Sequence, residues 1–171
     1  MLATLERGIK GGKWFSMIDK VWKMENLQSA LKRVVQNKGA AGVDGKTAEQ
    51  YLLESPHRLV QVQERLKTGR YTAQPVKGVW IPKLGSKELR PLGVPVVEDR
   101  VVETAVRNVI EPVFENIFAE HSYGFRPRRG AKDALRRVDQ LLNTGRVWVV
   151  DADIKGYFDS IPQDKIPEKT A

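Results

Sequence analysis

The sequence predicts an α+β fold in which helices dominate, and three observations point to it. Apolar residues recur at helical spacing in several separate stretches. Residues 79–97 switch to a strand-like composition around a turn, and a valine-rich run near the carboxyl end closes on aspartates. The 171 residues, 41% of them hydrophobic, suffice for one domain with a real core or for two small lobes.

Along the chain, Gly8, Gly11 and Gly12 stand among Lys10 and Lys13, a composition that suits a flexible basic arm. Its Gly-Gly-Lys lacks the spacing of a phosphate-binding loop. From Asn26, the residues Leu27, Ala30, Leu31, Val34 and Val35 predict a helix that stops at Gly39. A turn-rich loop follows, in which Thr47 and Gln50 have the spacing of a capping box opening a short helix. A further helix is expected from about Pro56 to Lys67, with Leu59, Val62 and Leu66 inward. Residues 79–97 read as a β-hairpin with its tip at Leu84-Gly85-Ser86-Lys87, and Pro82, Pro91 and Pro95 mark its strands as edge or irregular. From Glu98 to Phe118 a long helix is expected, kinked or divided at Pro112. After a basic loop, His121 to Gly130, the residues Ala134, Leu135, Val138, Leu141 and Leu142 mark a helix that ends near Gly145. Val147 to Asp153 reads as a buried strand. The expected organisation is an arm over 1–25, a central region over 26–145 and a last segment over 146–171.

Lysine and arginine exceed aspartate and glutamate by 29 to 21, giving +8 and a pI near 9.8, a balance that favours polyanions such as nucleic acid or an anionic membrane surface. No cysteine occurs, and two histidines are too few for a histidine metal centre, so any metal must take oxygen ligands. Without a signal peptide or a long apolar run, the expectation is a soluble cytoplasmic protein.

The chemistry concentrates in Val149-Val150-Asp151-Ala152-Asp153-Ile154-Lys155-Gly156-Tyr157-Phe158-Asp159. A strand ending in aspartates places hard oxygen ligands at the edge of a core, where they can hold magnesium and through it a triphosphate; the plainer reading is that these acids close a strand and start a turn. The stretch resembles the first palm motif of group II intron reverse transcriptases. That resemblance implies Asp153 as the catalytic metal-binding aspartate, the Ile154 carbonyl as a second ligand and Phe158 as the aromatic that selects deoxynucleotides. The hairpin Ile81 to Pro95 followed by Glu98-Asp99-Arg100 is similar to the family's fingers motif, in which Lys83 and Arg90 would hold the incoming triphosphate. Two cations on either side of a hairpin tip can close on one phosphate chain, or can be solvated charges on an exposed hairpin.

The loop Ser122-Tyr123-Gly124-Phe125-Arg126-Pro127 resembles a Gly-Phe-Arg-Pro segment of the same family. Tyr123 and Phe125 read equally as stacking platforms or as core plugs. Arg126 reads as a nucleotide or template contact, or as a buried arginine pairing with a loop carboxylate. The Gly42-Val43-Asp44-Gly45 turn is similar to one near the family's template-binding extension, although turns use these residues for backbone reasons too. Lys10, Lys13, Lys20 and Lys23 are the candidate RNA contacts, or a solvated face.

The resemblance thus implies a helix-rich reverse-transcriptase fingers subdomain with a β-hairpin, plus the first strand of the palm. It implies an RNA template, primer DNA, deoxynucleoside triphosphates and Mg2+ as partners of the complete enzyme. The family's Tyr-x-Asp-Asp turn is lacking, and no Asp-Asp pair occurs in the chain. The expectation is an amino-terminal portion that is itself inactive, with the edge of its late strand covered by a second copy or left disordered. The competing expectations are a non-catalytic intron-RNA-binding module and a degenerate remnant.

Overall fold

In the computed structural model, residues 17–82, 85, 87–154, 157, 160 and 161 are described. Lys10, Lys13, Lys83 and Phe158 lie outside them. The elements run α1 (Ile18–Val21), α2 (Met24–Gln36), α3 (Ala48–Lys67), β1 (Lys77–Pro82), β2 (Leu89–Val94), α4 (Val97–Glu115) and α5 (Ala131–Asn143). Helices and one small antiparallel sheet make a mixed fold, in two compact units divided between Glu120 and His121.

In the first unit the core lies among α2, α3 and α4. Leu27, Ala30 and Leu31 of α2 meet Leu59 and Val62 of α3 and Val101, Ala105 and Val109 of α4, all buried. The leucines and valines among them contribute about 1.5–3 kcal/mol each on burial. A polar relay runs through this core. The Asn26 Nδ2 donates to the carbonyls of Lys20 (3.1 Å), Val21 (3.2 Å) and Ala105 (3.0 Å), and the Asn26 oxygen accepts from Asn108 Nδ2 at 2.9 Å. Arg33 closes the relay by donating to Asn108 Oδ1 at 2.8 Å. The end of α1, the start of α2 and the middle of α4 are tied at one point.

The capping box at Thr47 and Gln50 forms as expected, but it opens one 20-residue helix and not a short one. Pro56, expected to start a second helix, sits inside α3. Its missing N–H leaves the Leu52 carbonyl without an intrahelical donor, and the neighbouring Ser55 hydroxyl takes that place at 2.7 Å. Pro112 likewise lies within the single helix α4.

Where α3 meets α4, Arg65 Nη2 donates to buried Glu98 at 2.6 Å and its guanidinium lies 5.4 Å from the Tyr71 ring centre. Tyr51 and Tyr71 both border Glu98, and Tyr71 borders Asp99 as well. Burial raises both phenols well above their ordinary value, and for Tyr71 the hydrogen bond to Asp99 adds to it. A phenol held protonated in the folded state stabilises fully below the unfolded value near 10, and that stability is lost as pH rises beyond it. Urea midpoints should therefore fall steadily from about pH 10 upward, and Tyr51→Phe and Tyr71→Phe should each flatten that fall; identical alkaline limbs in all three proteins would contradict it.

In the second unit, Asp133 accepts from the Gly130 amide at 3.0 Å and so opens α5. The strand expected over Val147 to Asp153 is not formed. A strand exists through its ladder, and among the described residues β1 and β2 pair with each other and with nothing else. Val147, Trp148, Val149 and Val150 are exposed instead of buried. No helix among the described residues is long and apolar enough to cross a membrane.

Candidate nucleotide and nucleic-acid site

The hairpin pairs Lys77 with Val94, Val79 with Leu92 and Ile81 with Arg90. Partners opposite one another share a face, so Arg90 stands beside Ile81 next to the last rung before the turn, at the tip end of the ladder. Arg90 and Lys87 are exposed, and β1 and β2 bury little: Val79, Ile81 and Val94 are half-buried and the remaining strand residues are exposed. A guanidinium placed this way is free to fork onto a phosphate or carboxylate.

In the second unit, the Gly-Phe-Arg-Pro loop turns its aromatic and its cation opposite ways. Phe125 has φ +57° and is fully exposed, so it is no core plug. Arg126 is buried, and its Nη1 donates to the Ser122 carbonyl at 3.0 Å. The sequence had left a buried arginine open as one reading, and the Ser122 carbonyl is one of its partners here. Arg128 also has positive φ, +60°, and Arg129 lies 5.8 Å from the Tyr123 ring centre. Two non-glycine residues in the left-handed region cost about 1–2 kcal/mol each, a strain that no sequence rule signalled. Asp151, Asp153 and Ile154 are exposed. Two carboxylates suit a hard cation but fall short of a cage, and among the described residues no three acids or histidines converge.

The Gly42 turn has a backbone reason. A Cβ on Gly42 would lie 2.7 Å from the backbone of Val96, where β2 passes into α4, and Gly45 has φ +67°. Asp44 accepts from the Lys46 amide at 3.1 Å and closes the turn. Of the candidate RNA contacts, Lys20 pairs with Asp19 at 3.2 Å and Lys23 is exposed.

The family described as reverse transcriptase (RNA-dependent DNA polymerase) matches residues 81–171, from the hairpin through the aspartates. The chain belongs to the reverse transcriptase family. The reverse transcriptase chain is 38% identical over 134 residues to the group II intron-encoded protein LtrA of Lactococcus lactis subsp. cremoris, a match covering 77% of the chain and 22% of that protein. It is 37% identical over 143 residues to protein YkfC of Escherichia coli K12, covering 80% of the chain and 37% of that protein. To nuclear intron maturase 1, mitochondrial, of Arabidopsis thaliana it is 31% identical over 72 residues, covering 42% of the chain and 10% of that protein. The chain spans from about a fifth to little more than a third of the length of the first two of these relatives.

Sequence reasoning missed Asn26, Glu98 and Asp99 as organising residues. The one signal was an acidic pair in the first turn of a helix directly after the hairpin, where the helix dipole favours negative charge.

Proposed function

We propose that the chain binds the RNA template and the incoming deoxynucleoside triphosphate of a group II intron RNA-directed DNA polymerase. In this reading residues 26–145 are the fingers, 1–25 a basic arm on the RNA and 146–171 the start of the palm. The observation that carries it is exposed Arg90 on an antiparallel hairpin inside the region matched by the family. Lys83 joins Arg90 on the triphosphate, and Arg126 and Phe158 line the nucleotide. Asp153 and the Ile154 carbonyl are assigned to Mg2+ in the complete enzyme, which would there supply charge neutralisation for nucleotidyl transfer. Primer DNA, a second copy across Val147–Val150 and a cytoplasmic location belong to the same reading.

By itself the chain extends no primer, because it holds no Asp-Asp pair. That lack also favours a second reading, a non-catalytic module for intron RNA. Equilibrium dialysis against a labelled deoxynucleoside triphosphate separates the two. Charge-assisted hydrogen bonds contribute about 1.5–3 kcal/mol each, so Lys83→Ala and Arg90→Ala should each weaken retention by about tenfold or more. Retention that is unchanged in the double variant would remove the hairpin from the nucleotide site, and RNA binding without nucleotide retention would leave the second reading.

A further inference from the structure

We propose that Asp99 is a positioning residue, a latch at the root of the hairpin that sets the angle at which β1 and β2 present Arg90. In its consequence for nucleotide binding the proposal rests on the reading above; as a statement about the hairpin it does not.

A two-stranded sheet is marginal by itself, and this one buries few side chains, so its orientation is decided where it joins the helices. At one root the junction is covalent: β2 ends at Val94 and α4 begins at Val97, with Val96 fully buried. At the other root, residues 70–76 form no helix or strand. Asp99, two residues into α4 and 4% exposed, reaches across to this segment. Its Oδ2 accepts from the Gln74 amide at 2.8 Å, and its Oδ1 accepts a short hydrogen bond from the Tyr71 hydroxyl. Tyr71 is held in turn beneath Arg65, which is paired with Glu98. Both roots therefore converge on the first turn of α4.

The geometry is that of a lever. The ladder runs from Lys77↔Val94 to Pro82↔Leu89, five steps of about 3.4 Å or roughly 17 Å in all. A swing of about 10° at the root would carry the far end roughly 3 Å over that length. A misplacement of about 1 Å can cost on the order of 10²-fold where groups must be held in place, so a hairpin hinged at one root alone would present its cations poorly.

The chain has no cysteine, which makes a spin-label pair at Lys32→Cys on α2 and Lys87→Cys near the hairpin tip free of background. The distance distribution should be narrow in this parent and broadened or displaced in Asp99→Ala. It should be narrow again in Asp99→Asn, which keeps an acceptor for the Gln74 amide and a polar partner for Tyr71. Tyr71→Phe, which removes one of the two latch bonds and leaves the core in place, should broaden it partially and decides the matter if Asp99→Ala does not fold. Deoxynucleoside triphosphate retention should fall about tenfold or more in Asp99→Ala and return in Asp99→Asn. A distribution unchanged in Asp99→Ala, or in Tyr71→Phe where the former does not fold, overturns the latch. A distribution that responds as expected while no protein, the parent included, retains nucleotide upholds the latch and overturns the nucleotide reading.

Discussion

Asn26→Ala should lower the stability of the first unit by about 3 kcal/mol, measured as a shift in urea midpoint at constant slope. The side chain is 7% exposed and makes four hydrogen bonds, three as donor to carbonyls and one as acceptor from Asn108. Its removal strands Asn108 Nδ2 and the carbonyl of Val21 in a place that excludes solvent, and each buried group left unpaired costs about 1–3 kcal/mol. Leucine should do no better than alanine, because what is lost is hydrogen bonding and not volume. A double-mutant cycle with Asn108→Ala should give a coupling of about 1 kcal/mol, since the second change removes a group the first had already stranded. A loss below about 0.5 kcal/mol, the range of ordinary surface substitutions, would show that the relay is not a tie between the helices.

Much of the architecture was legible because it is local. The period of Leu27, Ala30, Leu31 and Val34 marks one face of α2, and the Thr47 capping box opens α3 where its spacing says. The hairpin appears within a few residues of its expected bounds. What failed depended on partners that a one-dimensional pattern does not contain. Pro56 reads as a helix start because proline lacks an N–H, yet the adjacent Ser55 hydroxyl supplies the missing donor and the helix runs through. Val147 to Val150 has the composition of a strand, but composition cannot provide the neighbouring ladder, and these residues are exposed. In the candidate site, Arg90 on an exposed hairpin could be read from the prolines and charges around it. Which of the two readings open for Arg126 and for Phe125 holds could not, because the loop backbone decides it, with positive φ at Phe125 and Arg128. Asp99 escaped notice for a similar reason: its partners Tyr71 and Gln74 lie 28 and 25 residues earlier in the chain.

The division of labour proposed for this chain puts RNA on the amino-terminal basic residues and the triphosphate on the hairpin, and a salt titration tests it most directly. Log affinity for a single-stranded RNA should fall linearly with log salt, at about −0.7 per phosphate contact. Replacing Lys10, Lys13, Lys20 and Lys23 together by alanine should flatten the slope by up to about 2.8, so that between 50 and 200 mM salt the parent loses up to about 50-fold more affinity than the variant. Lys20 should contribute least of the four, because Asp19 already partners it. Lys83→Ala and Arg90→Ala should leave both affinity and slope close to the parent. Parallel salt lines for the parent and the four-lysine variant, or a loss of RNA affinity confined to the hairpin pair, would contradict the account.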